Sequence, residues 1–255
     1  MRRVIVMIAL VICVFSIKAQ TINVNPDPNG EPWWTGPDPV ITTEVQARID
    51  AIQDMELTDE SINTQLNSVV DNSTNLYFRP VFNQMGASCA QAAGIGYTFT
   101  YELNRIRNTS AQVAQNQYAP FYTYNYLWEV FGDGSWTTDG WQIAKENGCA
   151  SVETWGGMHV DMQKWMSGYS NYKNSMNNTL DKYEKINVRY DYQGYTPLTR
   201  MKHWLNDHNE GSATGGLIVI YAWLGNAYYA TPVGGNDNVP IMLGLSTPAA
   251  GFFML

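Results

Sequence analysis

The chain has 255 residues, a formal net charge of -8 and only 15 Lys and Arg residues. Nucleic acids and anionic membrane surfaces attract basic patches, so this composition excludes them as expected partners. The 9 Trp and 16 Tyr residues would suit a cleft for peptide or sugar, although a hydrophobic core with wet edges uses the same side chains.

Residues 1–19 have the pattern of a secretory signal peptide: two arginines, an apolar run of about a dozen residues and a small residue at Ala19. The apolar run is too short to span a bilayer, so no membrane anchor is expected. Cys13 lies inside this run, without the small residues that would precede a lipid-acceptor cysteine. The sequence therefore predicts a protein that is secreted or exported to the periplasm.

Residues 20–65 are predicted to form a leader or N-terminal extension. Pro, Gly, Asn and Asp are dense up to residue 40, which is typical of an extended segment. Apolar residues at helical spacing then predict one short amphipathic helix, with Thr42 or Thr43 as its cap and Glu44 in the first turn. Residues 66–255 are assigned to a single domain, whose first part, to residue 81, is expected to be extended.

A longer helix is predicted from Ser88, a suitable N-cap residue, to residue 107. Its apolar face would carry Ala92, Ile95, Phe99, Leu103 and Ile106. Gly94 and Gly96 each disfavour a helix by up to about 1 kcal/mol relative to Ala, so another backbone is expected to pack closely there. Cys89 falls in the first turn of this helix.

The rest of the domain changes from helical to strand patterns. An aromatic segment at residues 118–131 and the loop GDGSWTTDG precede a helix that ends at Gly148. The following residues are loosely helical to residue 183. Strands are predicted for KINVRYDY and GGLIVIYAW, with a short helix at MKHWLNDHN between them. A helix-rich half followed by a strand-rich half indicates an α+β fold.

Cys89 and Cys149 are the two cysteines beyond the signal region, and a disulfide between them is the simplest expectation for an exported protein. The position of Cys89 argues against that pairing. A helix N-terminus carries about half a positive charge and unpaired amides, which would favour a thiolate. Those amides, joined by the side chain of Gln84, would stabilise an oxyanion. The pattern favours Cys89 as a nucleophile and Cys149 as a small apolar core residue.

The segment FRPVFNQMGASCAQAAGIGYTF resembles the active-site segment of papain-like cysteine peptidases, where a Gln precedes a small-residue loop and the nucleophilic Cys opens a long central helix. The resemblance continues in chain order over residues 66–230. It implies a papain-like fold, with a helical half around the nucleophile helix and a β-rich half. It also implies Cys89 as the nucleophile, Gln84 as the oxyanion-hole donor, and Gly134 and Ser135 at the substrate cleft.

This sequence departs from the family pattern near the cysteine. The spacing from Gln84 to Cys89 is one residue shorter than in the plant and lysosomal enzymes. Ala87 and Ala90 replace the usual Gly and aromatic residue, and the extra disulfide cysteine of that loop is absent. These departures indicate resemblance to a divergent bacterial secreted branch.

Papain-like catalysis also needs a histidine base and an Asn or Asp that orients it. The family places this histidine on a strand shortly after the one matched by GGLIVIYAW, where residues 233–255 contain none. His159, His203 and His208 lie upstream of that position and are expected to have surface or structural roles. We therefore expect a chain that is incomplete before the catalytic His and Asn: a fragment, a frameshifted product or an inactive copy.

The leading hypothesis is a secreted papain-like cysteine endopeptidase that cleaves protein or peptide substrates through a Cys thiolate and an acyl-enzyme. The alternative is a non-enzymatic exported domain that keeps the cleft and its aromatic residues to bind peptide or glycan. The loop GDGSWTTDG offers carboxylates without the spacing of a metal-binding loop, so neither hypothesis includes a metal or a cofactor.

Overall fold

The computed structural model describes residues 42–82, 84, 88–127, 134–157, 164–186, 194–219, 222–223 and 252–253. The helices in these ranges are α1 Thr43–Asp50, α2 Asp59–Asn63, α3 Cys89–Gln91, α4 Thr100–Arg107, α5 Pro120–Leu127, α6 Thr137–Asn147, α7 Val152–Trp155, α8 Tyr169–Met176 and α9 Pro197–Asp207. Short 3₁₀ turns cover Asn72–Thr74 and Ala114–Asn116. Strands β1 Ala222–Trp223 and β2 Phe252–Phe253 pair antiparallel, with Ala222 opposite Phe253. The described part of the chain is therefore mostly helical.

The predicted helix at Cys89 is the centre of this part of the fold. A π-helical stretch, Ala92–Phe99, joins α3 to α4 without a break, and we call the three together the central helix. The aromatic helix α5 and helix α6 pack against it. The core that results contains Ile95, Phe99, Tyr118, Phe121, Tyr122, Tyr124, Cys149 and Trp155.

The prediction that one apolar face of the central helix is buried holds for its first half only. Ile95 and Phe99 are buried, whereas Ile106 is 72% exposed. A π-helix closes its hydrogen bonds five residues apart instead of four, so each turn holds more residues and the later residues rotate around the axis. In α4 the buried positions are consequently Thr100, Tyr101 and Asn104.

The two glycines of the π-helical stretch make room for side chains, not for a neighbouring backbone as predicted. A β-carbon at Gly94 would overlap the methyl group of Thr137. A β-carbon at Gly96 would lie 2.7 Å from the ring of Phe82 and 3.1 Å from Pro120. The expectation of a close neighbour was correct, and the identity of that neighbour was wrong.

Other helix predictions agree with the structure. Thr42 caps α1, since its Oγ1 accepts a hydrogen bond of 3.2 Å from the amide of Val45. Helix α6 ends at Gly148, which has a φ of 70° and packs against the backbone of Ser175 too closely for any β-carbon. Helix α9 contains the first seven residues of the predicted MKHWLNDHN segment and ends at Asp207, before His208 in the left-handed region. It begins earlier than predicted, because Thr196 accepts a capping hydrogen bond from Thr199.

The strand predictions are reproduced only in part in the described residues. KINVRYDY falls mostly on residues 187–192, which lie outside them. For GGLIVIYAW, residues 215–219 have irregular backbone, residues 220–221 lie outside the described residues, and Ala222–Trp223 form strand β1. The cause is visible in the backbone bonds of this segment: Gly215 O accepts from Tyr101 Oη at 2.7 Å and Leu217 O from Trp204 Nε1 at 2.7 Å. These carbonyls therefore pair with helices α4 and α9.

The N-terminal segment from residue 42 to residue 65 contacts the rest of the chain. Arg48 on α1 forms an ion pair of 2.8 Å with Asp139 on α6. The amide of Met55 donates to Lys185 O at 2.9 Å. Helix α2 packs on α9, where Ser61 is fully buried. None of the described helices is long and apolar enough to cross a bilayer.

Candidate active site

The chain approaches the predicted nucleophile through an anchored segment. Arg79 is buried, and its guanidinium lies 4.2 Å from the ring centroid of Phe82. Its Nη2 donates to Gln117 Oε1 at 2.9 Å, and burial lowers the pKa of Arg79 to about 10. The ring of Phe82 stacks on Tyr97 of the central helix with centroids 5.0 Å apart. These contacts fix the backbone two residues before Gln84.

Gln84 itself is exposed to solvent. Residue 83 and residues 85–87 lie outside the described residues, so the link between Gln84 and Cys89 is not described. The role of Gln84 as oxyanion-hole donor stays a prediction.

Cys89 begins the central helix and is partly exposed, with a free thiol. Ser88 occupies the cap position through its backbone: Ala92 N donates to Ser88 O at 2.8 Å, and no side-chain capping bond forms with the described amides of the first turn. Ser88 is therefore the N-cap residue, as predicted, without a side-chain capping hydrogen bond.

Burial has a larger effect on the Cys89 thiol than the helix start does. Desolvation raises the pKa of Cys89, while hydrogen bonds from the amides of Ala90 and Cys89 itself lower it by a smaller amount. The amides expected at a helix N-terminus are thus present, but they do not make the thiol acidic. This corrects the expectation that the helix start alone would favour a thiolate.

Cys149 occupies a different environment. It is fully buried in the hydrophobic core and is a free thiol, as expected for a small apolar residue there. Burial raises the pKa of Cys149 strongly. The structure therefore contains two separate thiols, of which Cys89 is the more accessible.

A buried glutamine two residues after Cys89, Gln91, connects the central helix to the start of α6. Gln91 Nε2 donates to Ser135 Oγ and to Trp136 O, both at 3.0 Å. Gln91 Oε1 accepts from Thr123 Oγ1 on α5 at 2.8 Å. The sequence did not predict a role for Gln91. Its one distinguishing feature there is a polar side chain next to Ala92, the first residue of the predicted apolar face.

The predicted cleft residues lie in the segment that this glutamine holds. Gly134 is half-buried, and Ser135 is buried with its hydroxyl facing Gln91. Two residues after Ser135, Thr137 Oγ1 donates to Ala90 O at 3.3 Å. The structure therefore brings residues 135–137 to Ala90 and Gln91 in the first turn of the central helix. Whether Gly134 and Ser135 bind substrate stays a prediction.

His208 lies far from Cys89. Its Nε2 is 2.6 Å from Glu102 Oε2, and its Nδ1 is 3.2 Å from Arg105 Nη2. Glu102 follows Cys89 by thirteen residues on the same helix, a distance of about 15–20 Å along the axis. Proton transfer needs a heavy-atom distance near 3 Å, so His208 is not the base for Cys89 in this structure.

His203 is enclosed between α2 and α9. Its Nδ1 is 3.1 Å from Ser61 Oγ and 3.3 Å from Asp207 Oδ2. Ser61 Oγ also donates to Asp207 Oδ1 at 2.9 Å. A serine and an aspartate on the same ring nitrogen cannot relay a proton through the ring, so this Ser, His and Asp group is a structural junction and not a hydrolytic triad. His159 lies outside the described residues.

No group of three or more His, Cys, Asp or Glu side chains in the described residues is placed to hold a metal ion.

Comparisons with known proteins do not identify a family. No protein-family model and no curated protein matches the chain. A solved structure that does match is xylellain, a cysteine protease from Xylella fastidiosa, with 13% sequence identity and a TM-score of 0.43. The match covers 67% of this chain and 61% of that chain, so this chain spans less than two thirds of the xylellain chain. A similarity of this size assigns neither a fold nor an activity to this chain.

Proposed function

We propose that this chain is a papain-like cysteine peptidase with Cys89 as its nucleophile, and that its substrates are proteins or peptides. The observation that carries this proposal is the position of Cys89. It is a partly exposed thiol, at the first turn of a long helix whose following residues form the core. By contrast, Cys149 of the same chain is fully buried in the hydrophobic core, as is typical of an inert structural thiol.

In the proposed reaction the sulfur of Cys89 attacks a peptide carbonyl, so that a carbon–sulfur bond forms and the carbonyl oxygen becomes an oxyanion. The amides of the first turn and the side chain of Gln84 would donate to that oxyanion. The carbon–nitrogen bond then breaks, the amine leaves with a proton, and water hydrolyses the thioester. The two described histidines have partners elsewhere, so the proton transfers lack a base among the described residues. Turnover is therefore expected to be slow.

Export to the periplasm or the medium is part of the proposal and rests on the composition of residues 1–19 alone. N-terminal sequencing of the protein recovered from an expressing bacterial host tests it. Removal of about nineteen residues is expected. A cytoplasmic product that keeps Met1 would contradict export.

The second candidate is a non-enzymatic domain that binds peptide or glycan. It is favoured by the raised pKa of Cys89 together with the contacts that occupy His203 and His208. Exposed aromatic side chains such as Trp165, which is 56% exposed and packs edge-to-face on Tyr126, would serve such binding.

Prolonged digestion of a mixed peptide library by the full chain separates the two candidates. Peptidase chemistry predicts slow cleavage, detected by mass spectrometry, that is lost in Cys89→Ala and kept in the matched control Cys149→Ala. Cleavage that survives in Cys89→Ala would contradict Cys89 as the nucleophile, and no cleavage by any variant would favour the binding domain.

A further inference from the structure

A cavity of about 400 Å³ lies between helix α1 with the residues that follow it, helix α6, and residues 182–183. We propose that this cavity is a binding site for a phosphate group, carried by a small phosphomonoester or present as free phosphate. The inference goes beyond the proposed peptidase, because Cys89 does not line the cavity and no step of the peptidase reaction uses it.

The walls of the cavity are fixed to one another by contacts between distant parts of the chain. Lys185 Nζ donates to Ile49 O at 3.0 Å, and the amide of Lys185 donates to Gln53 O at 3.0 Å. Arg48 on α1 forms the ion pair of 2.8 Å with Asp139 on α6. The cavity is therefore preformed, and its volume is within the range of small-molecule sites, about 300–1,000 Å³.

The charge of the lining side chains favours an anionic ligand. Three of them are basic and come from three parts of the chain: Arg48 on α1, Lys145 on α6 and Lys182 after α8. Asp139 is the one acidic residue that lines the cavity, and Arg48 is its ion-pair partner. Two positive charges are therefore left over, in a chain whose formal net charge is -8. A dianion between these basic groups would remove their mutual repulsion.

Each of the three basic side chains still has donors for a ligand. The ion pair with Asp139 uses only Nη1 of the Arg48 guanidinium. Lys182 Nζ is 3.1 Å from Glu184 Oε1, but the Lys182 side chain is 69% exposed, so water competes with this pair. Lys145 has no ion-pair partner in the part of the chain that the structure describes. Donors from three elements are thus available around one volume.

This arrangement of donors fits a phosphate better than a carboxylate. A phosphate monoester offers three strong acceptor oxygens, pointing in different directions, and close to two negative charges. A carboxylate offers two coplanar oxygens and one charge. The lining also contains the apolar side chains of Ala51 and Ile52 and the amide of Gln53, which would contact the organic part of an ester.

The test is isothermal titration calorimetry of the full chain with phenyl phosphate, inorganic phosphate and succinate, all at one ionic strength. A pH of about 8 keeps the phosphate close to doubly charged. Phenyl phosphate is expected to bind at one site with a Kd below about 1 mM, and succinate at least about tenfold more weakly. Tighter binding of phenyl phosphate than of inorganic phosphate would identify an ester as the ligand, and equal binding would identify free phosphate.

Three variants locate the site, and each removes one positive charge from an exposed side chain. Lys145→Gln and Lys182→Gln should each weaken phenyl phosphate binding by about threefold to tenfold. The matched control is Lys173→Gln, because Lys173 is exposed on α8 and does not line the cavity. It should change the Kd by less than about 1.5-fold, since salt screens distant charges. Cys89→Ala should bind phenyl phosphate as the wild type does.

Four results would overturn the proposal. These are no saturable binding of either phosphate compound up to about 10 mM, equal weakening by Lys173→Gln and Lys145→Gln, succinate binding as tight as that of phenyl phosphate, and loss of binding in Cys89→Ala. None of them bears on whether Cys89 cleaves peptides, so this inference and the peptidase proposal fail separately.

Discussion

At the scale of single residues, the state of the Cys89 thiol follows from two opposing effects, of which burial is the larger. A charge at a helix end is worth about 0.3–1 kcal/mol, which is less than one pKa unit. Desolvation of a partly buried thiol exceeds that, and the pKa of Cys89 is raised. The sequence shows the helix start but not the depth of burial, because burial depends on how α5 and α6 pack around the first turn.

The first prediction is that Cys89 is alkylated faster than Cys149 and that its rate increases with pH throughout the neutral range. Only the thiolate reacts, and a raised pKa means that the thiolate fraction is small near neutrality and grows as pH rises. Iodoacetamide rates for each cysteine, measured by mass spectrometry from about pH 6 to 10, test this. Equal rates for the two thiols, or a rate that is already at its plateau at pH 6, would contradict the burial argument.

At the scale of elements, the local patterns predicted the helices that begin at Thr43 and Cys89 and the helix that ends at Gly148. Each of these has a cap, a glycine or an apolar spacing within its own sequence. The π-helical stretch has no such local signal, and Gly94 within it packs against Thr137, which is distant in the sequence. The segment at residues 215–219 was predicted as strand because short apolar runs are typical of buried strands. Its carbonyl groups instead bond to side chains of helices α4 and α9, which are distant in the sequence.

The π-helical stretch leads to a second prediction. Phe99 and Ile106 lie on the same face by ordinary α-helical spacing, but only Phe99 is buried in the structure. Phe99→Ala should lower the free energy of unfolding by about 3–5 kcal/mol, because Phe99 is buried in the core against Tyr118. Ile106→Ala, the matched control from the same predicted face, should cost less than about 0.5 kcal/mol since Ile106 is exposed. Urea denaturation of both variants measures their losses of unfolding free energy. Similar losses would show that Ile106 lies on the same buried face as Phe99.

At the scale of the whole molecule, the described helices are joined by buried polar contacts between distant parts of the chain. Gln91 joins the central helix to α6, and Ser61 joins α2 to α9. Polar side chains at such places look like surface residues in a sequence, because their partners are more than forty positions away. For this reason a local motif could single out Cys89 as a candidate nucleophile, whereas no local motif could single out Gln91 or Ser61 as a buried junction.

A third prediction concerns the junction between α2 and α9. Ser61→Ala removes the hydroxyl that contacts both His203 and Asp207, and leaves those two buried groups short of a partner. The free energy of unfolding should fall by about 1–3 kcal/mol. The exposed residue Gln65 provides the control, for which Gln65→Ala should change stability by less than about 0.5 kcal/mol. Equal free energies of unfolding for the two variants, measured by thermal or urea denaturation, would mean that this junction does not contribute to stability.

The most direct test of the central claim, that Cys89 is the nucleophile of a peptide-cleaving site, is a burst experiment with an N-acylamino acid p-nitrophenyl ester. The full chain should release one equivalent of p-nitrophenol per protein in a fast phase and then continue more slowly, because the activated ester acylates the thiol faster than water hydrolyses the thioester. Mass spectrometry should place the acyl group on Cys89. No burst, or a burst of the same size in Cys89→Ala, would contradict the claim.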